Sequence, residues 1–158
     1  MQIAALEAAL AKNPEDTKAK LELAHAYVDA NRFGEAIPLY RQILDKNPHD
    51  PEALTHMGLI LTRAGHADAA LQMFDRALAA DPKYAHALWD KANLLFDGRQ
   101  DYAAAAKTFE AFIAVAPPGP DVERAKTMIA EAKKRLAEGK PAAASDAPAP
   151  PSERQSLR

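Results

Sequence analysis

Cysteine is absent from the 158-residue chain, which excludes disulfides, thiolate metal sites and thiol nucleophiles together. The three serines, Ser145, Ser152 and Ser156, all stand close to the C-terminus, so a Ser-His-Asp nucleophile has no place in the periodic part of the chain. Six glycines are scattered singly, whereas a phosphate-cradling loop needs them clustered for close backbone approach. Valine and isoleucine are sparse, which leaves strands without their usual builders. No run approaches the roughly 18 apolar residues that span a bilayer, and the N-terminus lacks the basic start and apolar core of a secretory signal. A formal net charge of -2 supplies no chain-wide positive field, so nucleic acid is excluded as a partner.

What remains is rich in alanine, leucine and charged residues, with 48% hydrophobic and 27% charged positions. Unbranched side chains lose little rotamer freedom in a helix, so an all-α fold is predicted. Carboxylates are abundant, but helix surfaces carry them for solubility, and no catalytic role is assigned. The chain is read as a non-enzyme with no cofactor.

A repeat organises the sequence. Asn13-Pro14, Asn47-Pro48 and Asp81-Pro82 recur every 34 residues, and Pro117 follows one residue late. Each proline ends an apolar stretch, because it lacks the amide donor and clashes with the preceding turn. Between the prolines, each unit shows two amphipathic stretches separated by a turn containing Asn31, Gly65 or Gly98, residues that tolerate the left-handed backbone ending a helix. In the second unit Leu54, Met57, Gly58, Leu61, Gly65, Ala70, Phe74 and Ala77 lead to Pro82. The third carries one extra residue, placed in the Asp97-Gly98-Arg99-Gln100-Asp101 turn.

This pattern resembles the tetratricopeptide-repeat (TPR) family. The resemblance implies a solenoid of three helix hairpins with an extra helix at each end, spanning 1–138: a half-repeat over 1–14, repeats over 17–50, 51–84 and 85–118, and a capping helix over 120–138. Helices are expected near 3–12, 18–30, 35–46, 52–64, 68–80, 86–97, 102–115 and 121–138. The expected core is Ala24, Tyr27, Ala36, Tyr40, Gly58, Leu61, Ala70, Phe74, Ala92, Leu95, Ala105 and Phe109. Residues 139–158, rich in proline and alanine, read as a disordered tail. The first helix has the form of the second half of a unit, so an earlier start of the natural chain is one expectation and a capping role the other. Lack of a signal peptide points to the cytoplasm, and a missing preceding membrane anchor would place the chain in the periplasm.

TPR-like stacking implies that the first helices of successive units line a concave groove for a protein or peptide. That projection selects Leu21, His25 and Val28, then Thr55, His56, Leu59 and Arg63, then His86, Trp89, Asp90, Asn93 and Phe96. Trp89 and Phe96 are expected to be largely accessible anchors, with packing on the capping helix as the alternative. His25, His56 and His86 share the face. Stacked helices stand near 10 Å apart, so no metal site is expected, whereas protonation of the imidazoles between about pH 6 and 7 would modulate binding.

Many TPR co-chaperones grip a heat-shock protein's C-terminal carboxylate with lysine, asparagine and arginine. Here those places fall on Leu21, His25, His56, His86 and Asp90, so clamp-type recognition is not expected. The Pro118-to-Arg124 region resembles bacterial TPR assembly factors of cytochrome c maturation, which implies apocytochrome as a candidate partner. A scaffold self-associating through its N-terminal helix is a second expectation.

Overall fold

The structure, a computed structural model, describes residues 2–139; the expectation of a disordered tail falls almost wholly outside them. Eight α-helices follow in order: α1 (Gln2–Lys12), α2 (Thr17–Asp29), α3 (Phe33–Lys46), α4 (Pro51–Arg63), α5 (Ala67–Ala80), α6 (Ala85–Asn93), α7 (Tyr102–Val115) and α8 (Pro120–Ala137). A π-helical segment, Leu94–Gly98, prolongs α6. No strand occurs among the described residues. The chain is an all-α solenoid in which α2/α3, α4/α5 and α6/α7 form the hairpins, while α1 packs on α2 and α8 on α7.

The repeating prolines work through their turns. Pro14, Pro48 and Pro82 each sit inside a turn closed by a backbone bond: Asp16 N–H donates to Asn13 O, Asp50 N–H to Asn47 O and Tyr84 N–H to Asp81 O, at 3.1 to 3.2 Å. Proline presets the φ that the second turn position requires. The residue closing each turn is also the N-cap of the next helix. Asp16 accepts from Ala19 N–H and Asp50 from Ala53 N–H, satisfying amides that the helix itself leaves free. Tyr84, at the same register, has no side-chain cap.

Each hairpin closes around a small residue on its first helix and an aromatic on its second. Ala24, Gly58 and Ala92 are buried, and Tyr40, Phe74 and Phe109 are fully enclosed. Eleven of the twelve expected core residues are buried; Leu61 is only partly so and packs beside Ala70 and Phe74.

The third unit corrects the reading of the extra residue. All three hairpin connections have the same length, so the insertion is absorbed inside the first helix, as the π-helical segment, and not in the turn. The closing bonds record it: Arg32 N–H reaches back five residues to Tyr27 O, His66 N–H five to Leu61 O, and Asp101 N–H six to Leu95 O. The left-handed residues are Asn31 (φ 57), Gly65 (φ 81) and Gln100 (φ 52). Gly98, expected in that role, lies within the π turn.

Two stability predictions result. A Cβ added at Gly58 would lie 2.6 to 3.0 Å from three atoms of the Phe74 ring, a ring with no solvent-exposed surface that would have to shift within the core. Gly58→Ala should therefore destabilise by about 1–3 kcal/mol in urea denaturation. Gln100→Gly relieves a left-handed glutamine and should stabilise by about 0.5–1 kcal/mol; an unchanged or lower midpoint would show that the conformation carries no strain.

Candidate functional site

Helices α2, α4 and α6 bring their outer faces to one side of the array, and most of the groove residues projected from the sequence lie there. Leu21, His25, His56, Leu59, Asp90 and Asn93 are partly exposed, and Arg63 and His86 are exposed. Arg63 Nη1 donates to Asn31 Oδ1 at 3.1 Å and its guanidinium lies over Phe33. Asn93 Nδ2 donates to Trp89 O at 2.8 Å, so this amide is already partly engaged by its own helix.

Four expected groove residues are placed differently. Val28 is buried among Leu23, Ala24, Tyr27 and Ile60. Thr55 is buried and its hydroxyl donates to Pro51 O at 2.6 Å, leaving it only a place in the wall of a cavity. Phe96 is 4% exposed, edge-on to Tyr102 with ring centroids 5.2 Å apart, and lies beneath the Arg135 guanidinium of α8. The capping helix therefore takes Phe96 as core, the alternative named above. Trp89 is half-buried, held against Phe109 and Phe112 at 5.7 and 5.1 Å between centroids, with Arg124 of α8 over its ring. It is shared between packing and surface, and is not the free anchor the sequence suggested.

Two of the cavities along the array adjoin the third hairpin. One, of about 460 Å³, runs between the second and third hairpins: Leu59, Phe74 and Leu94 give it apolar walls, and Asp90, Asn93 and Asp97 give it a polar rim. The other, of about 510 Å³, lies between Trp89, Phe112 and the Ala116–Pro120 connection. Phe74 reads from the sequence as core only, and Leu94 escaped the sequence reading because it opens the π segment, where the 3.6-residue period breaks.

A third feature overturns an expectation. The His25 and His56 ring centroids are 4.2 Å apart, and His25 Nε2 is 3.4 Å from Glu52 Oε1. The 10 Å estimate measured helix axes, whereas side chains on facing edges reach across that gap. Tyr40 stacks on His56, 5.5 Å between centroids and 7° from parallel. His86 and Asp90 line the same small cavity. Glu52 stands one turn before His56 on α4, and that spacing was the available signal for it in the sequence.

Burial shifts His56 and Asp90, and raises Tyr40. His56 is pushed down to about 4 by desolvation, then by the neighbouring imidazoles of His25 and His86, so it stays neutral across the pH 6–7 interval in which a switch was expected. Asp90 is pushed up to about 6 by desolvation, against smaller opposing effects of His86 and Arg63.

Comparison with known proteins agrees with the architecture. The family model described as tetratricopeptide repeat matches residues 3–51, 21–85 and 55–121. The crystal structure of MamA is similar over 87% of this chain and 77% of that one, at 22% identity and a TM-score of 0.70. The first TPR of Spaghetti bound to an HSP90 peptide is similar over 78% and 97%, at 20% identity and a TM-score of 0.69. The Sgt2 TPR domain from Aspergillus fumigatus is similar over 89% and 94%, at 23% identity and a TM-score of 0.68. These comparisons give no support to the narrower likeness to cytochrome c maturation factors.

The raised Asp90 value carries a stability prediction. The folded state holds the Asp90 proton more tightly than the unfolded chain, whose carboxyl titrates near 3.8. The destabilisation is therefore fully present above about pH 6 and absent below about pH 4. Asp90→Asn should stabilise the chain by about 1–2 kcal/mol at pH 8. Denaturation midpoints across the pH range should show the gain vanishing on acidification; a constant gain would refute the burial cause.

Proposed function

Because the chain belongs to the tetratricopeptide-repeat family, we propose that it is a protein-interaction adapter whose groove receives a peptide segment of a partner protein. The observation that carries this reading is the cleft between the second and third hairpins. Its walls are apolar at Leu59, Phe74 and Leu94, and its rim presents Asp90 and Asp97. An inserted aliphatic or aromatic side chain loses water against those walls, and a lysine or arginine beside it meets the rim carboxylates. The partner segment is therefore amphipathic and basic. Backbone groups of an extended segment find Asn93 and His86 nearby.

The heat-shock peptide seen on the Spaghetti TPR does not transfer to this groove on chemical grounds. A terminal carboxylate needs cationic donors to replace its water. The places expected to supply them hold Leu21, His25, His56, His86 and Asp90, and Arg63 is already engaged with Asn31 and Phe33. The apolar stripe of α1, which motivated self-association, is occupied within the chain: Ile3, Leu6 and Leu10 pack towards the cluster of Leu23, Tyr27 and Ile43.

Selection from a random peptide library on the immobilised full chain tests the reading. Enriched peptides should combine an apolar residue with a neighbouring lysine or arginine and bind less tightly as salt rises. Asp97→Lys, on an exposed position, should weaken them about fivefold or more with little change in melting temperature, and Leu59→Ala by about tenfold. Enrichment of acidic peptides, or binding indifferent to both substitutions, would refute it. Trp89→Ala is unsuited to this separation, since removing a ring that packs on Phe109 and Phe112 costs about 2 kcal/mol or more of stability by itself.

A further inference from the structure

We propose that His25, Glu52 and His56 form a site for one divalent transition-metal ion of zinc-like character, at the junction of the first and second hairpins. One ligand atom from each residue lies within 4.8 Å of the other two. Glu52 and His56 stand one turn apart on α4, so both project from one face, and His25 comes from α2 across the gap. Two imidazole nitrogens and a carboxylate oxygen are a donor set that borderline ions favour, whereas magnesium and calcium take oxygen alone.

The spacing of the donor atoms suits a shared ion. His25 Nε2 and Glu52 Oε1 are 3.4 Å apart, yet His25 Nε2 makes no hydrogen bond. In a tetrahedral zinc site, with ligands at about 2.0–2.1 Å, the ligand atoms are about 3.3–3.4 Å apart and point at the metal, not at each other. Among the described residues, the buried side-chain polar atoms lacking a hydrogen-bond partner are His25 Nε2, His56 Nδ1 and Tyr40 Oη. Two of the three are on the candidate ligands themselves, and the third is on Tyr40, whose ring stacks on His56. Unpartnered buried polar atoms are scarce in native proteins, and two of them on the imidazoles of one such cluster fit a place that receives something supplying the missing interaction.

The surroundings fit. The Tyr40 ring, fully enclosed, stacks almost parallel on His56 and fixes its plane, the kind of support that pre-orients a ligand. The His25 and Glu52 side chains keep 28% and 39% exposure, which leaves an entry path. The three residues line a cavity of about 290 Å³ together with Thr55, His86 and Asp90, which leaves room for a further ligand such as water. The next junction lacks the arrangement, because Leu59 stands at the register of His25. This inference uses no part of the peptide-binding reading, and either can fail alone.

Titration of the chelator-stripped full chain with zinc sulfate, followed by calorimetry, tests it directly. One equivalent should bind in the micromolar range or tighter and raise the melting temperature, and magnesium chloride should do neither. X-ray absorption of the zinc complex should show imidazole nitrogens at about 2.0–2.1 Å. His25→Gln, Glu52→Gln and His56→Gln should each weaken binding about tenfold or more, while His49→Gln and His66→Gln, at exposed histidines elsewhere, should leave it unchanged. Helical circular dichroism without metal establishes that each variant is folded; if one of the three is not, the other two decide. Absence of saturable zinc binding, or binding that survives the loss of His25 and Glu52, or that depends on His49 or His66, would overturn the site and leave an ordinary histidine-carboxylate contact.

Discussion

The whole array depends on one contact made three times, a large aromatic ring of the second helix seated against a residue with almost no side chain on the first. Phe74 over Gly58 is the tightest case, and Tyr40 and Phe109 occupy the same register beside Ala24 and Ala92. The contact sets how closely the two helices approach, and thereby the angle at which each hairpin meets the next. A hairpin alone cannot bury its apolar stripe, so the stack is the smallest stable unit. That is why α1 and α8 are required at the ends: Ile3, Leu6 and Leu10 cover the first hairpin, and Val122, Ala125 and Ala132 complete the last core cluster.

The same contact determines what the groove can hold. With the second helices fixed by aromatic rings, the first helices are left side by side with their outer faces free, and successive copies are offset along their length. His25 therefore meets His56, 31 positions on in sequence, and not its register mate Leu59. The offset brings late positions of one helix beside early positions of the next. It assembles His25 with Glu52 and His56 at the first junction, and Leu59 with Asp90 at the second. One backbone geometry thus yields a polar niche and an apolar cleft, differing only in the side chains that the register delivers.

Much of this was legible in the sequence. The proline period placed the helix ends to within a residue or two, and the small-aromatic pairs named the core, because both act locally and repeat. Three things were not legible. The extra residue of the third unit was put in the turn, since a turn is the cheaper place for an insertion; the even connection lengths show it wound into a π turn. Phe96 was assigned to the groove from its helical phase, but the π segment changes that phase and α8 covers the ring. The histidines were judged too far apart because helix axes, and not side-chain tips, were compared. In each case a periodic rule was applied where the chain departs from periodicity or where inter-repeat offset matters.

Burial of polar groups separates the groove from a merely solvated face. Asp90 is desolvated enough to resist ionisation and His56 enough to resist protonation, and each lowers the stability of the fold under conditions that favour its charged form. An array selected for stability alone would put aliphatic residues at those places, as it does at Leu59. Local sequence preference, core packing and helix capping agree over most of the described residues, and these two conflicts border one cavity. Such confined conflicts are expected at functional sites, where polar groups are held ready for an interaction that the isolated chain does not provide. The unpartnered buried nitrogens of His25 and His56 are the sharpest instance, and both residues are on the first helices whose outer faces the repeat geometry leaves open for partners.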